Sequence, residues 1–510
     1  MPRTYLTTPI YYVNDRPHIG HAYTSLATDV LARWKRLEGH EVFFLTGTDE
    51  HGQKVAKAAR DAGMEPQAFT DQVSQHFRDL AERLGLSNDD FIRTTEDRHK
   101  QACKALWREL AQRGEITLGH YEGWYAVRDE AFYGPDELTE RDGVRYAPSG
   151  APVEWVREPS YFFRLSAWRD RLLEFYEAHP DCIAPPSRRN EVLSFVRAGL
   201  QDLSISRTSF TWGVPVPDDP AHVMYVWLDA LTNYLTAAGY PDPDAPRWSF
   251  WTDRQVTHFV GKDILRFHAV YWPAFLMAAG IEPPKRVFAH GWWTIEGQKM
   301  SKSLGNAIDP LALIEEFGLD PLRYFLLREV PFGQDGDFQK HALVARLNGE
   351  LADGLGNLAQ RTLTLIQRNC DGRLPAQAGA VLDDAVLLAP LGTLEGAVGG
   401  FLDRQEFHLA LEEIMRQMRG ANGYITQMQP WALKKTDPAR MAAVLRHLHT
   451  ALRAYATVLQ PFMPGTMGLL LDQLGVPGTA RSLADLAAPL PEGTMLPPPA
   501  PLFRKIELAA

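Results

Sequence analysis

Two imidazoles and two ammonium groups stand out for the chemistry their spacing would permit. In "NDRPHIGHAYTS", His18 and His21 are separated only by Ile19 and Gly20. On a helix this spacing brings both rings to one face, as a metal pair requires. On a loop entering a helix, it sets two hydrogen-bond donors beside a helix N-terminus, where phosphate binds. The second constellation is "EGQKMSKSLGN", which carries Lys299 and Lys302 in a Gly-flanked loop. Solvated surface turns share that composition. Ammonium groups on such a loop can also neutralise charge building on a nucleotide's phosphates as a group departs. Neither stretch alone decides.

The elements around these groups narrow the choice. "RTYLTTPIYYV" (residues 3–13) is rich in β-branched and aromatic residues and predicts a buried strand. A turn with Pro17 follows, then an amphipathic helix through "YTSLATDVLARWKRLEG". "HEVFFLTGTDEHG" reads as a second buried strand that breaks into a polar loop. Strand, helix, parallel strand opens a doubly wound α/β sheet, and ligands bind beyond the carboxyl ends of such strands. "NDRPHIGH" and "GTDEHG" both begin at such ends and should border one crevice.

From 115 to 215, short strands, aromatics and turns read as an insertion in the sheet domain. Helix–strand alternation resumes in "HVMYVWLDALTNYLTAAG" and "QVTHFVGKDILRFHAVYWPAFLMAAG", and a last strand, "RVFAHGWWTI", leads to the lysine loop. From 356 onward the pattern is helical, exemplified by "DGLGNLAQRTLTLIQRN" and "RMAAVLRHLHTALRAYATVLQPFM", which predicts an all-α bundle. The Pro-rich "PLPEGTMLPPPAPLFRKIEL" should lie extended along the surface.

A chain of 510 residues should divide into about three or four domains. No signal peptide and no uninterrupted apolar run of spanning length is evident, so a soluble cytoplasmic protein without a membrane partner is expected. Cys103, Cys182 and Cys370 are scattered without CxxC spacing and should be buried reduced thiols. A net charge of −10 argues against non-specific nucleic-acid binding and against DNA as a partner, while leaving room for a basic track on one face.

The HIGH stretch at the start of a sheet domain, followed far downstream by KMSKS, is the signature pair of class I aminoacyl-tRNA synthetases. Together with "TTPIYYVN", "FLTGTDEHG", "YVWLDALTNY", "FVGKDILRFHAVYWPA" and "KMSKSLGN", it makes the chain resemble the methionyl-tRNA synthetase family in its short bacterial form, over essentially the whole length. The resemblance implies a Rossmann-type doubly wound parallel sheet in two halves, 1–114 and 216–284. It also implies a connective-peptide insertion at 115–215, a KMSKS and stem-contact region at 285–355, and an α-helical anticodon-binding domain at 356–510. The implied reaction joins L-methionine to ATP, giving methionyl-adenylate and pyrophosphate, then charges tRNA(Met), initiator and elongator. Magnesium is expected to arrive with ATP. Because the chain stops soon after the bundle, without the family's extra dimerisation domain, a monomer is expected.

Carried over by resemblance, His18, His21, Lys299 and Lys302 are the catalytic groups, and ATP also meets Gly20, Gly261, Asp263 and Trp293. The methionine side chain would be walled by Ile10, Tyr12, Trp227, Ala230, Tyr234, Ile264, His268 and Trp272, with Asp49 and the Ile10 carbonyl on the ammonium. Asn357, Arg361 and Trp431 match the anticodon readers. An unbranched thioether must be recognised by shape and a weak polar contact. Zinc-bearing relatives carry a four-ligand knuckle in the insertion. The aligned positions here hold Ala126, Asp129, Tyr146 and Ser149, so no structural zinc is expected, and Tyr125, Phe132, Tyr133 and Tyr146 are candidates to cover its place. Synthetases for leucine, isoleucine and valine need an editing insertion for which 115–215 has no room, and the cysteine enzyme needs thiolates that are missing. A small adenylyltransferase sharing an HxGH motif would lack the helical domain and the KMSKS loop. A non-catalytic tRNA-binding paralogue would not need both motifs intact. If Lys302 neutralises charge mainly in the transition state, Lys302→Ala lowers the adenylation rate about 10²–10³-fold. Methionine affinity measured without ATP stays put. A rate within about threefold of wild type removes the loop from the mechanism.

Overall fold

A computed structural model of the chain describes residues 1–13, 16–129, 131–295, 298–299, 308–377 and 379–507, with the backbone alone at 131, 132, 136, 298 and 299. The chain divides into two compact units, one of residues 3–28 and 42–290, the other of 1–2, 29–41 and 291–510.

The first unit is built on a six-stranded sheet in the order Asp90–Arg93, Glu41–Asp49, Arg3–Tyr12, Val256–Gly261, Arg286–His290, Ile183–Ala184. Tyr5 stands opposite Val256 and His258 opposite Val287, both in parallel register. Arg3–Tyr12 and Glu41–Asp49 are buried along most of their length, threonines included, as strands inside a parallel sheet are. Sequence order reverses between Arg3–Tyr12 and Val256–Gly261, which makes their carboxyl ends the switch-point crevice. Beneath the crevice a continuous core runs from Tyr5 and Phe43 to Trp251, Trp272 and Phe275.

The insertion is a second, antiparallel sheet of Leu203–Ser204, Glu154–Phe163, Ile116–Ala126 and Ala131–Tyr133. Its long pair runs in unbroken register from Ile116 opposite Phe163 to Tyr125 opposite Glu154. One face carries exposed Leu118 and Trp155.

The second unit is mainly helical. Asn357–Asn369, Ala385–Asp403, Phe407–Met428 and Pro438–Leu459 are its main helices, and Pro starts Pro438–Leu459 with Asp437 capping Arg440 N–H. Leu382–Asp403 is long and apolar enough to cross a membrane by length and composition, a departure from the sequence expectation. Glu395 interrupts it, and Leu387, Leu394, Val398 and Leu402 bury one stripe of it while Val386 stays exposed. The Pro-rich tail does run extended, and it is hydrogen-bonded: Leu374 N–H donates to the Thr494 carbonyl, and Asn348 exchanges hydrogen bonds with the Ile506 backbone.

This unit is joined internally by a fully buried ion pair. Arg323 donates to Asp29 Oδ2 at 2.6 Å, and to the carbonyls of Phe462 at 2.9 Å and Pro461 at 2.7 Å. Asp29 also accepts from Arg33 at 2.7 Å. Three segments remote in sequence therefore share one guanidinium. Replacing one member of such a pair strands the others, so Arg323→Met should cost about 3–5 kcal/mol. Urea unfolding measures it, and a loss no larger than that of exposed Arg368→Met, within about 0.5 kcal/mol, refutes the assignment.

Candidate active site

His18 sits immediately before the helix Ile19–Leu37 and caps it with its own ring. The Gly20 N–H donates to His18 Nδ1 at 3.1 Å, and the His18 N–H donates to His21 Nδ1 at 3.0 Å. The two rings lie 4.0 Å apart, with His21 edge-on to Tyr11 and Phe77. A backbone N–H can only donate, so both Nδ1 atoms are acceptors and the neutral rings carry their proton on Nε2. Each Nε2 is thus a hydrogen-bond donor, which suits an anion and leaves no lone pair there for a metal. Gly20 has a further reason to be glycine: a Cβ would stand 2.8 Å from His18 Cε1.

One residue joins this helix to the neighbouring strand ends. Thr24, whose hydroxyl reaches the Gly20 carbonyl at 3.1 Å, is also 2.7 Å from His290 Nε2. His290 ends the Arg286–His290 strand, and its ring lies edge-on to Tyr23. A Cβ on Gly261 would meet Asp263 Oδ1 at 2.5 Å and would lie 3.9 Å from His290 Cε1. Gly261, Asp263 and the HIGH turn are therefore assembled around His290, a residue the sequence reading did not single out.

The expected side-chain wall is largely one aromatic cluster. His268 and Trp272 flank Tyr234, with ring centroids 5.7 and 6.1 Å away. His268 Nδ1 lies 3.0 Å from the Ile264 carbonyl, which only accepts, so Nδ1 carries the proton and Nε2 accepts from the Tyr234 hydroxyl at 2.7 Å. The Trp272 indole N–H donates to His258 Nε2 at 3.3 Å, so His258 donates through Nδ1 to Thr7 Oγ1 at 2.7 Å. Burial lowers the pKa of both histidines, His268 to about 4. Trp227 stacks on Phe267 at 3.9 Å. Ile10 packs against the same core, Tyr12 donates its hydroxyl to the His51 carbonyl at 3.2 Å, and Asp49 is buried at the end of its strand.

In the helical unit, Asn357 and Arg361 are one turn apart on Asn357–Asn369, and the Arg361 guanidinium lies 5.5 Å from the ring centroid of Trp431. Trp431 is 45% exposed, unusual for an indole and suited to stacking. Trp293 is buried against Phe325 and Phe338. Lys299 is described in its backbone only, and Lys302 lies outside the described residues.

Residues 4–363 match the family model for class I tRNA synthetases (M), and 374–509 match that for the anticodon binding domain of methionyl tRNA ligase. A methionine–tRNA ligase of Rickettsia bellii is 58% identical over 92% of each chain, and one of Mesorhizobium japonicum is 55% identical over 98% of this chain and 97% of its own. A Mycobacterium tuberculosis methionyl-tRNA synthetase solved with methionyl-adenylate superimposes with a TM-score of 0.96 at 52% identity, covering 99% of this chain and 100% of that one. The chain belongs to the class I methionyl-tRNA synthetases.

At Ala126, Asp129, Tyr146 and Ser149, the positions that the resemblance aligns with a zinc knuckle, the donors do not fit a metal. Ala126 offers no lone pair and is buried with Ala147, Ala151 and Val153, against Trp124, Tyr133 and Leu138. Asp129 accepts from Ser149 and, at 2.9 Å, from the Tyr133 hydroxyl, and Arg128 donates to the Ser149 carbonyl. These positions form a small apolar core beside a hydrogen-bonded carboxylate, a donor set that does not suit a tetrahedral centre. Of the four aromatics expected to cover it, Tyr133 lies on this cluster; the side chain of Phe132 is outside the described residues.

The synthetase sequence also concealed Thr7, His258 and His290, whose partners lie hundreds of positions away. Only the buried polar types in apolar strands ("TTPI", "THFV", "FAHG") signalled them. Because His268 is held near 4 rather than the ordinary 6.5, the unfolded chain binds a proton there that the folded one refuses. Stability from this group is full above pH 6.5 and is lost as pH falls toward about 4. Unfolding free energies of wild type and His268→Gln should converge over that window, and parallel curves would contradict it.

Proposed function

We propose that this protein is a methionine–tRNA ligase that uses the HIGH turn as its phosphate clamp. It activates L-methionine with ATP, releasing pyrophosphate, and passes the methionyl group to the 3′ end of tRNA(Met), initiator and elongator alike. The observation that carries this reading is the pair of Nε2 donors on His18 and His21 at a helix N-terminus. Attack of the methionine carboxylate on the α-phosphate crowds negative charge onto a pentavalent centre, and two fixed N–H donors stabilise it without reorganising. Neither step requires a covalent enzyme intermediate, so positioning and charge stabilisation suffice.

ATP enters as its magnesium complex, the ion carried by phosphates and water. Gly20, Gly261, Asp263 and Trp293 are assigned to the nucleoside and phosphates, Lys299 and Lys302 to the departing pyrophosphate. Asp49 and the Ile10 carbonyl take the ammonium. Tyr12, Trp227, Ala230, Tyr234, Ile264, His268 and Trp272 take the thioether chain. Asn357, Arg361 and Trp431 read the anticodon, with the guanidinium-backed indole as a platform for one splayed base. Segments 1–114 and 216–284 would form the catalytic domain, 115–215 the connective insertion without zinc, 285–355 the stem-contact region and 356–510 the anticodon domain. A cytoplasmic monomer accords with this work.

ATP–pyrophosphate exchange tested with each amino acid decides the activity: methionine alone should support it. Trp431→Ala should cost about 1–3 kcal/mol in tRNA(Met) charging through lost stacking and leave exchange without tRNA unchanged. Loss of exchange as well would make Trp431 a structural residue.

A further inference from the structure

The loop after the Glu41–Asp49 strand is fastened at each residue. Val13 N–H donates to the Asp49 carbonyl at 3.2 Å, the Trp212 indole to the Glu50 carbonyl at 2.6 Å, and Gly52 N–H to the Trp212 carbonyl at 3.0 Å. His51 itself is held twice: its carbonyl accepts from the Tyr12 hydroxyl at 3.2 Å, and its side chain Nδ1 meets Asp229 Oδ2 at 2.7 Å. The other oxygen of Asp229 is 2.8 Å from His99 Nε2, on the helix Asp97–Gln112. A carboxylate only accepts, so both histidines present N–H to it. Asp229 is buried, which works to raise its pKa, yet the two histidines hold it well below the usual carboxylate range. It lies on the short helix Val226–Leu231, two residues after Trp227 and one before Ala230. Asp49, His51 and Asp229 line one cavity.

His99, Cys103 and Asp229 are also close enough to suggest a metal site. Two ligand atoms across a tetrahedral ion with bonds of about 2.0 Å stand roughly 3.3 Å apart. The 2.8 Å separation of His99 Nε2 from Asp229 Oδ1 is instead that of a direct hydrogen bond.

We propose that Asp229 is a positioning residue of the amino-acid subsite: by clamping His51 on one side and His99 on the other, it fixes the Asp49 loop against the Trp227–Ala230 wall. Other bonds hold the loop to its neighbouring strands; Asp229 supplies the tie from that loop to the short helix that carries Trp227 and Ala230. This rests on the assignment of Asp49 to the substrate ammonium. In Asp229→Asn the shape persists, but an amide N–H faces a histidine N–H, and the clamp opens.

The test compares two unreactive probes as inhibitors of methionine-dependent exchange: 3-(methylthio)propylamine, which keeps thioether and ammonium, and 3-(methylthio)propan-1-ol, which lacks the ammonium. Wild type should prefer the amine; equal binding would refute the Asp49 assignment and the clamp with it. In Asp229→Asn, methionine KM and the amine's inhibition constant should each rise about tenfold, while the alcohol's constant and the KM for ATP stay within about twofold. Equal weakening of amine and alcohol, or of neither, overturns the positioning role. Should Asp229→Asn fail to fold, His51 carries the test. His51→Ala should reproduce the amine-selective loss, and His51→Asn, which retains an N–H near the Nδ1 position, should restore most of it. Failure of His51→Asn to improve on His51→Ala counts against the clamp.

Discussion

The buried carboxylate of Glu50 is the constraint around which the catalytic unit is arranged. It is fully withdrawn from water and accepts from Arg93 at 2.7 and 2.9 Å, from Thr48 at 2.7 Å and from Thr95 at 2.6 Å. A charge in that position is tolerable only with a cation and with its lone pairs filled. Those donors come from the two neighbouring strand ends, so the ends cannot drift apart without stranding the charge. Asp49, adjacent in sequence, thereby keeps a fixed place at the mouth of the crevice. The same logic recurs at Asp29 with Arg323 and at Asp384 with Arg440, where a buried acid gathers segments distant in sequence.

What the sequence disclosed and what it withheld divide along a physical line. Alternation between buried strands and amphipathic helices is local, so the parallel sheet, the inserted antiparallel sheet and the helical bundle could all be anticipated. The HIGH turn was legible in residue type, and the family resemblance favoured a phosphate contact over a metal pair; the Nδ1 atoms, which accept backbone N–H groups, give that choice a physical basis. Pairings such as Thr7 with His258 or Thr24 with His290 depend on strand register and order, which no single stretch encodes. The π-helical turns at Phe267–Tyr271 and Leu347–Gly356 were likewise invisible, because they break the period on which helix reading depends.

The insertion shows how a loop keeps its shape with the wrong donors for a metal. A tetrahedral centre supplies strong bonds among short segments that cannot bury much surface. Here Ala126, Ala147 and Ala151 are small enough to pack directly on one another, and Asp129 accepts from Ser149 and Tyr133 at the rim. Burial directed by small residues and one satisfied carboxylate hold these short segments together.

Recognition of a thioether turns on which protons the assigned pocket has already committed. The Tyr234 proton goes to His268 Nε2, the His268 proton to the Ile264 carbonyl, and the Trp272 proton to His258. Burial keeps both histidines neutral, so the wall presents polar atoms whose donors are largely spent. A side chain that needs strong donors would enter such a wall and leave its own acceptors unmatched, a penalty of about 1–3 kcal/mol for each. Sulfur, a weak acceptor with high polarisability, loses little and gains dispersion from the indole and phenol rings. In the proposed pocket, a saturated hydrogen-bond network would select methionine over polar chains of similar length, and shape alone would discriminate against shorter apolar chains.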